Sequence, residues 1–165
     1  DFFIKDTQVT AGASEINTLD KDTVGASREL KVIPVSAPSD DSETDTGESI
    51  PEDSIVKNVY LIVDTAESTG TGKTLNVGTD SSGSGDADGF LSGVDVSSTG
   101  VIKGTLANSG STLGALLYVD TDGSGDNQRE PYLYGTDNVT ITASNTDWEE
   151  FEGRIIIEYV SIASA

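Results

Sequence analysis

The apolar residues of this chain come in short runs of period two, separated by Gly, Asp, Ser, Thr and Asn. That patterning limits the fold more than any other feature. Alternation sends successive side chains to opposite faces of a sheet, whereas a surface helix needs apolar residues every three or four positions. No stretch carries a sustained helical stripe. Runs at residues 2–10, 29–37, 54–65, 73–78, 101–106, 113–119, 139–143 and 154–162 read as strands, with a short one at 131–134. They are rich in Val, Ile, Thr and Tyr, which suit a pleated surface. Asp147–Phe151 reads as one helical turn, ended by Gly153. The expected class is all-β: an antiparallel β-sandwich, jelly-roll-like, with an extended N-terminal arm.

A length of 165 residues suits one domain. Residues 38–53 are acidic and Ser-rich and contain Pro38 and Pro51, so they read as a long loop. They divide N-terminal strands, 1–37, from a sandwich core, 54–165. The N-terminal part is too small for a core of its own. Either it adds strands to the main sandwich, or it reaches out and augments a partner's sheet. Phe2, Phe3 and Ile4 give it an apolar tip and are its candidate interface residues.

Twenty-nine acidic residues face nine basic ones, a net charge of −20. Such a chain repels phosphates and anionic lipid, which argues against direct nucleic-acid or membrane-surface contact. The regular apolar runs "VYLIVDTA" and "GRIIIEYVSIA" argue against disorder. The acidity therefore reads as adaptation to high salt, where a Debye length of about 3 Å at 1 M screens self-repulsion. No run of about 18 apolar residues is present, so no membrane span is expected. The opening "DFFIKDTQVT" has neither a basic n-region nor a long apolar h-region; a signal peptide, if there was one, is expected to be gone already. The absence of Cys and His removes disulfides, thiolate and imidazole ligands, and both Ser-His-Asp and Cys-His catalysis. Carboxylate pairs for glycoside hydrolysis are not excluded, but no pair stands out among so many acids.

The stretch "AESTGTGKT", residues 66–74, suggests a phosphate-binding loop. Its first glycine position is occupied by Glu67, whose charge would repel phosphate, and "LNVGTD" continues it as a strand where a helix is required. A β-hairpin turn is the expected structure. "VDTDGSGDNQRE", residues 119–130, places Asp120, Asp122 and Asp126 in one glycine-rich loop. As an EF-hand it fails: position 12 is Pro131, Glu130 falls one short, and no helices flank it. It reads first as a strand-to-strand turn. A looser Ca²⁺, Mg²⁺ or Na⁺ site at Asp120, Asp122 and Asp126 is the second reading. "GSGD" recurs at residues 83–86, where Asp80, Asp86 and Asp88 form a similar set. Trp148 and Phe151 are expected to pack on the last strand, with a sugar-stacking platform as the rival. Asn138-Val-Thr140 is a glycosylation sequon.

"IPEDSIVKNVYLIVDTAESTGTGKTLNVGTDSSGSGDADGFLSGVDVSSTGVIKGTL", from Ile50 to Leu106, resembles small structural proteins of tailed phages and tailed archaeal viruses. So do "LGALLYVD" and "NVTITASNTDWEEFEGRIIIEYVSI". In that group a Pro-led strand, a Thr/Gly-rich turn, "KT-x-x-VG", "GDADGFL-x-G-V" and "KGTL" follow in order. An acidic-aromatic turn precedes the terminal strand. The likeness runs from Ile50 onward, and "GDADGFLSGV", Gly85–Val94, is its most specific motif. It implies a virion component of head-decoration, turret or fibre type, with a β-sandwich or jelly-roll fold and no catalytic residue; the one candidate cofactor is the Ca²⁺, Mg²⁺ or Na⁺ ion of the aspartate loop. The implied partners are the major capsid protein and further copies of the chain, a homo-oligomer with a trimer favoured, on the outer capsid surface. With the acidic composition, the host context is a haloarchaeon. The rival from another class is a receptor- or glycan-binding module of a tail fibre or halophilic cell surface, which would need exposed aromatics.

Overall fold

A computed structural model describes residues 2–4, 7–9, 26–69, 71–82, 85–106, 112–120, 127–144 and 146–162. Thirteen strands follow in chain order: β1 (Phe2–Ile4), β2 (Thr7–Val9), β3 (Ala26–Ser36), β4 (Thr44–Asp45), β5 (Ile55–Thr65), β6 (Thr74–Thr79), β7 (Leu91–Asp95), β8 (Gly100–Lys103), β9 (Tyr118–Asp120), β10 (Asn127–Arg129), β11 (Tyr132–Leu133), β12 (Val139–Ala143) and β13 (Glu152–Ile162). All pairings between these strands are antiparallel. No described helix is long and apolar enough to cross a membrane.

The strands make an antiparallel β-sandwich. The larger sheet runs β3-β13-β5, with β8 and β11 side by side along the far edge of β5. The smaller runs β4-β12-β6-β7. β13 is the spine of the larger sheet. It pairs with β3 along its whole length, Glu152 with Ser36 through Ile162 with Ala26, and with β5 on its other side. Alternation then dictates the core. Ile33, Val35, Leu61, Val63, Ile155 and Ile157 point inward from the larger sheet and are buried. Leu75, Val77, Val94, Ile141 and Ala143 belong to the smaller sheet, and Phe90, Tyr134, Trp148 and Phe151 complete the same core.

The structure corrects several expectations. Residues 66–74 are not a hairpin: β5 and β6 lie in different sheets, so this loop crosses from one layer to the other. Residues 113–119 are not one strand, since Ala115–Leu117 form a 3-10 turn before β9. No helical turn forms at residues 147–151. β7 was not anticipated. Within the first 37 residues, 26–36 add a strand to the main sandwich, so only the chain before Ala26 is left for an arm. There β1 and β2 pair with each other.

Candidate functional site

The two GSGD loops come first. β6 ends at Thr79, and the following loop folds back on it. Thr79 N–H donates to the Asp86 carbonyl at 2.8 Å, and Asp86 N–H donates to Thr79 Oγ1 at 3.0 Å. The carboxylates serve local turns. Asp80 accepts from Ser82 N–H at 2.8 Å, Asp86 from Asp88 N–H at 3.3 Å, and Asp88 from the Ser92 hydroxyl at 2.8 Å. Burial, with Asp88 close by, pushes the Asp86 carboxyl up; hydrogen bonds from Asp86 and Ser92 hold Asp88 down. Among the described residues no three acidic groups are gathered to hold a metal. In the second loop, β9 and β10 pair antiparallel, Asp120 opposite Asn127, so the loop joins two strands. Asp122 and Asp126 lie outside the described residues.

Glu67 is the best-bonded side chain in the crossover loop and is fully buried. Its Oε1 accepts the Thr69 N–H at 2.9 Å and lies 2.6 Å from the Thr69 hydroxyl. That hydroxyl also lies 2.8 Å from the Asp147 carbonyl and donates to one of the two at a time. Oε2 accepts three successive backbone N–H groups, Glu149 at 3.0 Å, Glu150 at 3.1 Å and Phe151 at 3.2 Å. Consecutive N–H groups converging on one oxygen form an anion nest. Burial raises the carboxyl, but the Thr69 hydroxyl and the backbone donors outweigh it and bring it down to about 2. Glu67 N–H itself donates to Val96 at 3.1 Å. The residue that disqualifies the phosphate loop is therefore an internal anion, filling its own nest and tying the crossover to the turn before β13.

The outer face of the larger sheet carries the main exposed apolar surface. Register lines up Val32, Ile156, Tyr60 and Lys103 in one row across β3, β13, β5 and β8. The next row is Pro34, Arg154, Ile62 and Val101; on the other side lie Leu30, Glu158 and Asn58. Leu30 is 67% exposed, Val32 50% and Val101 70%. Two of its carboxylates, Asp64 and Glu158, are partnered. Arg154 holds Asp64 through two bonds, 2.8 and 2.7 Å, which lower the Asp64 carboxyl. Glu158 accepts from Asn58 at 2.8 Å and pairs with Arg28, and these bonds hold its carboxyl below the usual range. Lys103 Nζ sits 5.5 Å over the Tyr60 ring. Arg154 and Asp64 also line an open depression with Pro34, Ser36 and Glu152.

The remaining candidates separate. Trp148 and Phe151 pack edge to face at 5.6 Å and are buried, which leaves no ring face for a sugar. Asn138 donates to Asp45 at 2.9 Å, while Thr140 of the sequon is buried. Phe2, Phe3 and Ile4 form β1; their side chains lie outside what is described. Nothing in the sequence marks the outer face as a site, although Ile156, between Ile155 and Ile157, puts an apolar residue on the opposite face of β13.

No family model matches the chain, and no curated protein matches it. Among solved structures it is similar to a chain of the cyanophage Pam1 capsid asymmetric unit, with a TM-score of 0.53 and 15% identity, over 97% of this chain and 97% of that one. At that identity the two chains share a fold.

Proposed function

We propose that the chain is a non-enzymatic, capsid-associated structural protein of a halophilic tailed virus, placed on the outer capsid surface to bridge and stabilise the major capsid lattice. The observation that carries this reading is the likeness, over nearly the whole of both chains, to a component of a phage capsid. The molecule suits the task. Its core is continuous between two sheets, and its charged groups serve turns and ion pairs. Many modest contacts repeated over a lattice add up through multivalency, so no single interface need be strong. In this reading the chain before Ala26, with Phe2, Phe3 and Ile4, supplies a contact to the capsid protein. The rival glycan-binding reading wants exposed aromatics, yet Phe90, Tyr134, Trp148 and Phe151 are buried.

The test is quantitative analysis of intact virions purified in high salt. The protein is expected in regular proportion to the major capsid protein; a handful of copies per particle would instead indicate a tail fibre. Deleting residues 1–25 spares β3 and should abolish binding to capsids lacking the protein. Full occupancy by the deleted form would rule out the arm as the contact.

A further inference from the structure

We infer that the outer face of the larger sheet is where a second copy of this chain docks, outer face to outer face about a two-fold axis. The inference rests on the capsid-associated reading and adds to it the surface by which copies pair. Three observations lead there.

The first is the exposed apolar area itself. Leu30, Val32 and Val101 are exposed and Ile62, Ile156 and Tyr60 half-buried, across four adjacent strands. Strands spaced about 4.8 Å apart and rising about 3.3 Å per residue give a face of roughly 15 by 25 Å in plan. Side-chain relief enlarges that toward the roughly 600–800 Å² per partner of a small stable interface. Within this face Val32, Ile156, Tyr60, Ile62 and Val101 adjoin, with Arg154, Glu158 and Lys103 among them, and such a cluster marks an interaction site where isolated exposed residues do not.

The second is charge. The chain carries −20, so two copies repel across most approaches. On this face Arg28, Lys103 and Arg154 balance Glu158, Asp64 and Glu152, and the count is neutral. Two copies meet here without the repulsion they meet elsewhere.

The third is self-complementarity. Leu133 on β11, opposite Ile55 in the row of Val160 and Arg28, extends this face, and the other exposed large hydrophobic among the described residues, Val119, is on β9 in a different sheet. The surface on this chain that matches the apolar face is the same face of another copy, which is the condition for an isologous, two-fold contact. Packed faces would then sit about 10 Å apart, as sheets in a sandwich do. This gives a two-fold pair where the sequence alone favoured a trimer.

Sedimentation velocity at high salt on the full chain tests this. Val32→Asp and Val101→Asp each place an unpaired charge in the contact at a side chain exposed in the single copy; Val119→Asp, in a different sheet, is the control. Wild type and Val119→Asp should sediment as dimers, with dimerisation weakened at least tenfold in the other two. Circular dichroism should show all four folded alike. A monomeric wild type, or a Val32→Asp and Val101→Asp pair that dimerise as wild type does, would overturn the inference. Binding of the same proteins to capsids separates the two readings. Dimers that ignore capsids sink the capsid role alone, and a monomeric wild type that coats capsids sinks the docking face alone.

Discussion

The Glu67 carboxylate accepts the backbone N–H of Phe151 at 3.2 Å, 84 residues further along the chain. That bond, with those from Glu149 and Glu150, fixes the turn that delivers Trp148 and Phe151 into the core just before β13 begins. Replacing Glu67 by Ala leaves four backbone N–H donors, that of Phe151 buried and the others part-buried, without their acceptor. We expect a loss of about 3–5 kcal/mol, because stranded buried donors cost their full desolvation. Glu67→Gln keeps the shape but turns an amide N–H₂ toward donors on one side, so it should lose about half as much. Chemical denaturation of the three proteins checks the order; an Ala variant as stable as wild type would remove Glu67 from its structural role.

The same carboxylate sets a pH dependence. Its ordinary value is 4.5, and the hydrogen bonds overcome burial to hold it at about 2 in the folded chain. A depressed folded value means the folded state prefers the ionised form. The contribution is therefore complete above 4.5 and is lost as pH falls toward about 2. Other carboxylates titrate in this range too, so total stability is a poor reporter. The gap between wild type and Glu67→Gln isolates the one group. It should be constant near neutral pH and narrow steadily below 4.5; a gap that widens on acidification would reverse the assignment.

Gly78 lies where β6 meets the loop that folds back over it. A Cβ there would come within 1.9 Å of the Asp86 carbonyl oxygen and 2.4 Å of the Ala87 carbonyl carbon, both backbone atoms. Neither can swing aside as a flexible side chain could. Gly78→Ala should cost about 3 kcal/mol or more and disturb the Asp86–Asp88 turn. At Gly135 a Cβ would meet nothing within 4 Å, so Gly135→Ala is the neutral control. Equal melting temperatures for the two variants would show that the loop yields.

Much of the sandwich is legible because alternation is local. β12 was bounded correctly, since "VTITA" contains its own pattern. β7 was missed because Gly93, at φ +59°, interrupts "LSGVD", and its partner β6 is reached only through the intervening loop. The crossover at 66–74 looked like a hairpin because sequence does not reveal which sheet the next strand joins. Glu67 could be seen to exclude phosphate, but not to bond Phe151, a contact made by tertiary folding. The outer face was hidden for a related reason. "RIIIEY" shows one outward isoleucine, Ile156, between Arg154 and Glu158, and the exposed apolar residues that join it, Val32 and Val101, come from β3 and β8 beside and beyond it.

The acidity makes the last prediction. Nine basic residues cannot neutralise twenty-nine carboxylates, and ion pairs such as Arg154–Asp64, Arg28–Glu158 and Lys31–Glu48 use several of them. The rest repel one another, as along Asp40, Asp41, Glu43 and Asp45 leading into β4, and Glu149, Glu150 and Glu152 at the start of β13. Raising salt from about 0.1 M to about 1 M shortens the Debye length from about 10 Å to about 3 Å, which removes most of that repulsion. The exposed ion pairs weaken as well, but each contributes little beside the summed repulsion of the excess charge. The melting temperature should therefore climb steadily with KCl over this range. A flat or falling curve would mean that the acid excess does not strain the fold, and the case for adaptation to brine would fail.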